Sequence, residues 1–431
     1  MSRKHDTKNR PLQRVDEATN HVRRARFAGS ALLALSALGA LSGCQAPPTE
    51  ERSLLLFPPP PETPRIQFLT WANGAAKVEN QAGAFERFVL GEEERSLRVL
   101  NKPYGLAVYD GAVFVCDSKG LSIARMDFKN KTYTLFGTRG PGRLRKPVNI
   151  VIDALGYKFV ADTIRKQIVV FDPDDKYVTA FDLPEPARPV DVAIYENELY
   201  VLDNDKTCQI VVLDRRSGDV LRSFGSPGGE PGQFRLPSSL CIGPEGFIYV
   251  SDTMNWRVQK ITREGEPVWS VGQPGYQVGQ FGRPRGIRVA PDGLIYVVDG
   301  ATEIVQLYDS EWNSLMHFGG PGRTPGTLDL PSSVALDRSS IPYFQDLAHP
   351  SFHIDYMVFV ANQYGGHLVN VFAFGGFPEG FKVSENEIAT IPAVPKGAGI
   401  GPAEQSPPPE SQPKNEKLPA EATPPATPEG G

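Results

Sequence analysis

The chain has 431 residues, with Lys and Arg totalling 45 against 50 Asp and Glu, a formal charge of −5. Residues 1–43 hold eight of the cationic and three of the acidic groups, so the remainder carries −10. That balance excludes nucleic acid as the main partner, because affinity for a phosphate backbone rests on clustered Lys and Arg.

From the N-terminus, a cationic stretch ends at Arg26 and an uncharged run from Phe27 to Leu41 follows. A run of about fifteen residues is short for a membrane-crossing helix and suits the apolar core of a signal peptide. It closes on Leu41-Ser42-Gly43-Cys44, which resembles the lipobox of bacterial lipoproteins. The resemblance implies cleavage before Cys44, a lipid on its thiol and anchoring in the cell envelope. Gln45 after the cysteine, where retention would favour aspartate, implies the outer membrane, facing the periplasm. A plain secretory signal is the alternative reading. Residues 44–64, with the run Pro58 to Pro61, are expected to form an extended tether holding the following domain off the membrane.

A strand-like segment, Arg65 to Trp71, precedes a repeated unit. The fourth copy reads most clearly, with strand-like runs Ser239–Ile242, Phe247–Ser251, Arg257–Ile261 and Val268–Val271. Pro244-Glu245-Gly246 separates the first two and Glu264-Gly265 the last two. A proline opens the unit at Pro103, Pro147, Pro189, Pro237, Pro284 and Pro331. An acid closes the second run at Asp117, Asp162, Asp203, Asp252 and Asp299, with Asn362 in the sixth place. Four short antiparallel strands in about forty-five residues describe one propeller blade. The fold class is therefore all-β, a six-bladed β-propeller over residues 65–383. The sixth unit has only three strand candidates, so the Ile66 segment is expected to supply its fourth and close the ring. From Ser384 to Gly431 the composition is Pro, Glu, Ala and Ser with few large apolar groups, which implies a disordered tail.

Glycine-rich crossings, proline-opened strands and the Asn255-Trp256-Arg257 triplet together resemble NHL repeats. Lys206 and Thr302 stand in the loops where other copies would carry that triplet, so the resemblance supports architecture more than any role for the arginine.

Three groups of residues are candidates for function. The strand-end acids read as turn acceptors, since a repeat needs the same acceptor in every copy whereas an enzyme needs one acid in one place. The residues before the opening prolines are Lys102, Lys146, Arg188, Leu236, Arg283 and Leu330, with Arg145, Arg285 and Arg288 nearby. They form a candidate basic collar at the channel mouth, suited to an anionic ligand. The insertion from Asp337 to Asp355 holds Tyr343, Phe344, Asp346, His349 and His353 and is expected to be a partner-binding or covering loop. Pro350 between the histidines opposes the helix that a zinc-binding pair would need. Cys116, Cys208 and Cys241 read as buried free thiols, with a Cys208–Cys241 bridge as the alternative.

Neither a catalytic triad nor a nucleotide-binding fingerprint is present. The sequence therefore reads as a lipid-anchored binding or scaffolding module for an envelope protein or an anionic glycan, with no catalytic residues and no cofactor beyond the lipid. A metal-dependent hydrolase or lyase with its ion in the channel is the second reading, and a structural spacer the third. Inward-facing Asp, Glu, Asn or His converging from several blades would favour the enzyme.

Overall fold

A computed structural model describes residues 54–79 and 98–389. Cys44, the leader and the acidic run Glu92 to Glu94 lie outside the described residues. So does the tail from residue 390 onward.

Five four-stranded antiparallel sheets follow the chain, over 103–136, 147–182, 189–224, 239–271 and 284–319. Each runs from an inner strand to an outer one in sequence order. The sixth sheet holds Pro331–Asp337, His353–Asn362 and Val369–Gly376, with Ile66–Ala72 paired antiparallel to the last of them. The expected closure of blade six by the N-terminal segment is therefore what the structure contains. Phe68 opposes Phe372 and Ile66 opposes Phe374 in this register. The inner strands contact one another in sequence around a closed ring, ending with Pro331–Asp337 against Pro103–Tyr109.

Burial follows from this arrangement. A second strand such as Ile295–Asp299 is buried along its whole length, because neighbouring blades cover both of its faces. Outer strands such as Thr132–Phe136 are partly exposed, with Tyr133 and Phe136 buried and the other three positions exposed. Six apolar clusters lie one between each pair of adjacent blades. Five of the opening prolines occupy the first position of their strands, where a missing N–H breaks no ladder, and Pro237 stands two residues before Ser239–Ile242. In blades one, two, three, five and six the register slips directly after that proline.

Two expectations need correction. Leu56–Phe57 is not part of a tether; it pairs with Ile66–Gln67 as a fifth strand on blade six. Leu56 and Phe57 are buried, Phe57 and the half-buried Leu55 packing into the cluster between blades five and six, and the proline run is the turn that brings the chain back. At the other end, residues 384–389 stay on the propeller, where the Leu54 N–H donates to Glu387 O and the Ala389 N–H to Leu54 O. The backbone of Leu54, fixed beside the buried Leu56 and Phe57, supplies the partner that low-complexity composition did not suggest.

Candidate functional site

All opening prolines and strand-end acids lie on one face, called here the proline face. The connections between first and second strands, and between third and fourth, lie on the other. The strand-end carboxylates are turn acceptors. Asp162 accepts N–H groups from Arg145, Lys146, Ile164 and Arg165, and Asp299 from Gly282, Arg283, Ala301 and Thr302. Asp252 instead takes one backbone N–H, from Arg235, and side-chain donors from Asn255, Arg257 and Gln259.

This pattern fixes the collar. The N–H of Lys102, Lys146, Arg188 and Arg283 each donates to the acid of its own blade. In blade four it is Arg235, not Leu236, whose N–H reaches the acid. Leu236 is an extra residue with φ 46°, so counting back from Pro237 misses this cation. Arg188, Arg235 and Arg283 are exposed and Lys146 is half-buried, and none has an acidic partner among the described residues. Lys102 donates to Tyr364 Oη at 3.1 Å and lies 5.1 Å from the centre of that ring. Between blades one and two the same face carries a groove of about 800 Å³, lined by Arg143, Arg145, Arg165, Leu121 and Ile164 among others.

The two further arginines expected near the mouth differ from each other. Arg288 donates to the carbonyls of Ile287 and Leu240 and acts on the buried Asp191, so it belongs to the channel wall and not to the collar. Arg285 is 5% exposed, its Nη1 has no hydrogen-bond partner among the described residues, and its guanidinium lies 5.7 Å from the Tyr104 ring centre. Burial pushes its pKa below the usual guanidinium value.

Inside the channel, the second residue after each opening proline forms a ring: Gly105, Asn149, Asp191, Ser239, Gly286 and Ser333. Asp191 is the one carboxylate in it, fully buried, and it accepts from Ser239 Oγ at 2.6 Å, Leu240 N at 2.9 Å and Val192 N at 2.8 Å. Burial pushes the Asp191 carboxyl up, opposed by Arg288, Ser239 and the two backbone donors. A Cβ on Gly105 or Gly286 would stand 2.6 or 2.7 Å from the next inner strand's Cα, so glycine lets adjacent inner strands approach closely at this level. The donor set does not fit a channel metal: Asp191 is committed to the neighbouring blade. Among the described residues no three of His, Cys, Asp and Glu come together.

The insertion lies on the opposite face, so the expected binding residues do not form one site. Phe344 is 2% exposed and packs on Phe128 and Phe359, which removes it from any binding surface. Tyr343 covers Gly111 in blade one, and a Cβ there would collide with its ring. These two rings join blade six to blade one, which is a packing role. His349 accepts the Ser351 N–H and stands edge-on to Phe377 and Phe381, holding the chain that leads to residue 389. His353, 82% exposed at its side chain, lies 3.4 Å from Asp355 and does not meet His349 in a shared site. Cys116, Cys208 and Cys241 are free and buried.

On this opposite face the exposed acids Asp110, Asp174, Glu196, Glu264, Asp292 and Glu311 lie among exposed cations, with Lys129 paired to Asp110 and Lys176 to Asp174. The collar cations are on the proline face.

No family model matches the chain. Solved structures with a similar fold include a streptogramin B lyase, at 17% identity and TM-score 0.46, covering 64% of this chain and 94% of that one. A protein of unknown function from Bacteroides thetaiotaomicron aligns at 15% identity and TM-score 0.49, covering 72% and 75%. A gluconolactonase from Xanthomonas campestris aligns at 16% identity and TM-score 0.47, covering 64% and 86%. The chain is a six-bladed β-propeller, similar to these proteins in fold.

Proposed function

We propose that this chain is an exported, NHL-like propeller, held at the bacterial envelope by a lipid on Cys44, that binds an anionic partner on its proline face. The partner is a protein with an acidic surface or an anionic glycan. One observation carries the reading: five blades place a cation at the same backbone position, through Lys102, Lys146, Arg188, Arg235 and Arg283. None of these has an acid to neutralise it among the described residues. Structural need accounts for the carboxylates beneath them but not for the cations, since only their backbone N–H groups serve the turn. Rigid inner strands hold these charges in a fixed ring, which favours capture of a complementary partner.

The test is crosslinking in cells of the tagged full chain, set beside a variant with Lys146, Arg188, Arg235 and Arg283 replaced by Gln. A discrete envelope component captured by the first and lost with the second is the expected result. Capture that survives the substitutions counts against the collar. Replacing Cys44 by Ser is expected to release the chain from the membrane fraction; a chain that stays there without lipid counts against the anchor.

A further inference from the structure

On the proline face three blades make a fastening bond that blades five, six and one lack; in blade one Ser118 Oγ donates to Lys102 O of its own blade. In three blades the residue after the strand-end acid fastens its blade to the next. Thr163 donates to Pro189 O at 2.9 Å, Asn204 to Pro237 O at 3.2 Å and Thr253 to Pro284 O at 2.8 Å. Blade five has Gly300 there instead. A Cβ on Gly300 would stand 2.9 Å from Arg285 Nε and 3.2 Å from Pro331 O, so the glycine vacates the fastener's place and Arg285 fills it. Blade six has Gln363, 3% exposed, whose Nε2 has no partner among the described residues.

Two buried side chains, one of them charged, therefore hold unused donors where blades five, six and one meet. Such donors are costly unless something accepts from them. The acid that acts on Arg285, Asp299, already accepts four backbone N–H groups and is no partner for it. The Tyr104 ring centre lies 5.7 Å from the guanidinium, and Tyr364 directly follows Gln363 in the chain. Tyr364 is exposed and is held by Lys102.

We infer that this mouth is a receptor site for the carboxylate of an acidic sugar unit, with Arg285 and Gln363 as its donors and Tyr364 as its wall. The inference rests on the anion-binding reading above and narrows the ligand. A planar guanidinium fork matches a carboxylate, and an uncharged amide beside it adds a donor without demanding a second negative charge. A guanidinium this enclosed admits only a slim terminal group. The exposed tyrosine ring offers an apolar face for a pyranose, and Lys102 and Arg283 add attraction at the entrance.

The experiment is calorimetric titration of the full chain with glucuronate, acetate, glucose and inorganic phosphate. Glucuronate is expected to bind, acetate more weakly, and glucose not at all. Arg285→Gln is expected to weaken glucuronate at least tenfold, and Gln363→Ala several-fold. Tyr364→Ala should weaken glucuronate but leave acetate unchanged. Melting curves guard against misfolding: Arg285→Gln removes a buried charge without a partner and should melt no lower than the parent. Tighter binding of phosphate than of glucuronate overturns the carboxylate. Equal binding of acetate and glucuronate overturns the sugar and points to another carboxylate, such as a peptide terminus. Absence of binding by all four, or unchanged binding in Arg285→Gln, overturns the site. If no acid binds while collar-dependent capture persists, the site falls and the broader reading stands. If glucuronate binds while capture ignores the collar, the reverse holds.

Discussion

Asp252 and Arg257 form a clamp: Arg257 Nε donates to Asp252 Oδ2 at 2.9 Å, while its two terminal nitrogens reach the carbonyls of Gly229, Glu230 and Gln233. The arginine of the Asn-Trp-Arg triplet thus ties the strand-end acid of its blade to the crossing loop that leads into the blade. Asn255 makes the same two connections, to Asp252 Oδ2 and to Gly228 O. In blade two Arg165 holds the loop carbonyls of Pro141 and Arg143 in the same manner.

Arg257→Ala should therefore cost stability and not ligand capture. It leaves a buried carboxylate short of its charged donor, a change that costs about 3–5 kcal/mol for a buried pair. Urea denaturation of the variant checks this. Arg257→Lys should recover only a small part, because an ammonium cannot reach the acid and three loop carbonyls together. A variant as stable as the parent would mean that the loop holds without the clamp.

Gly300→Thr restores the residue type that fastens blades two and four. The new hydroxyl is expected to donate to Pro331 O, and its Cβ would displace the Arg285 side chain. Stability should change little or rise by about 1 kcal/mol, the net value of one hydrogen bond. Anion binding at the mouth should fall at least tenfold. Titration and melting on the same sample check both, and retained binding would separate the donor site from Arg285.

The six proline-opened units were legible because five blades need the same carboxylate contact at the same place, while in the sixth Asn362 holds the position and Glu303 accepts the Leu330 N–H. The closing strand Ile66–Ala72 was legible because the sixth unit lacked one. Leu54–Phe57 reads as tether in the sequence because an apolar run of four before a proline run has no strand period, and its partners lie far along the chain. Arg235 was hidden by Leu236, an insertion that only the backbone path exposes. Gly300 and Gln363 are unremarkable letters until the fastening hydrogen bonds of blades two, three and four are known. The separation of His349 and His353 from the collar had a sequence signal: an insertion between first and second strands must emerge opposite the opening proline.

Ring closure depends on four phenylalanines from three parts of the chain. Phe372 stands 4.9 Å from Phe318, 5.4 Å from Phe68 and 6.2 Å from Phe57, ring centre to ring centre. Phe372→Ala is expected to cost about 3–5 kcal/mol, as for other fully buried aromatic side chains. Removing residues 54–72 should do worse, because it bares Val369–Gly376 as an unpaired sheet edge, and aggregation on size-exclusion chromatography is the expected outcome. A monomeric, cooperatively unfolding truncation would show that three strands suffice for blade six.

The thiols offer a separate check on the core. Burial pushes the Cys241 thiol up to about 12 and raises those of Cys116 and Cys208 as well. A thiol-specific reagent should leave all three unmodified in the native chain at neutral pH and modify them once it is unfolded. A reducing agent should leave the melting temperature unchanged. A reductant-dependent melting temperature would revive a Cys208–Cys241 bridge.

Acid sensitivity should come from two histidines. Burial holds His317 below the usual histidine range, with Glu62 opposing the effect. Burial and the adjacent Lys77 do the same to His367, whose ring stands 4.4 Å from that of Trp71. In both, the folded chain binds a proton less readily than the unfolded chain. Their contribution is therefore complete above the unfolded histidine value of about 6.5, and it is lost as pH falls through that value toward the folded one. Asp191 acts with the opposite sign: its raised carboxyl favours the folded state as pH falls. Between about pH 7.5 and 5.5 the histidines are the groups crossing their unfolded range. Stability by urea denaturation should therefore decline over that interval, and the double variant His317→Gln, His367→Gln should flatten the decline. An unchanged slope in the double variant would mean that neither ring is kept neutral by its surroundings.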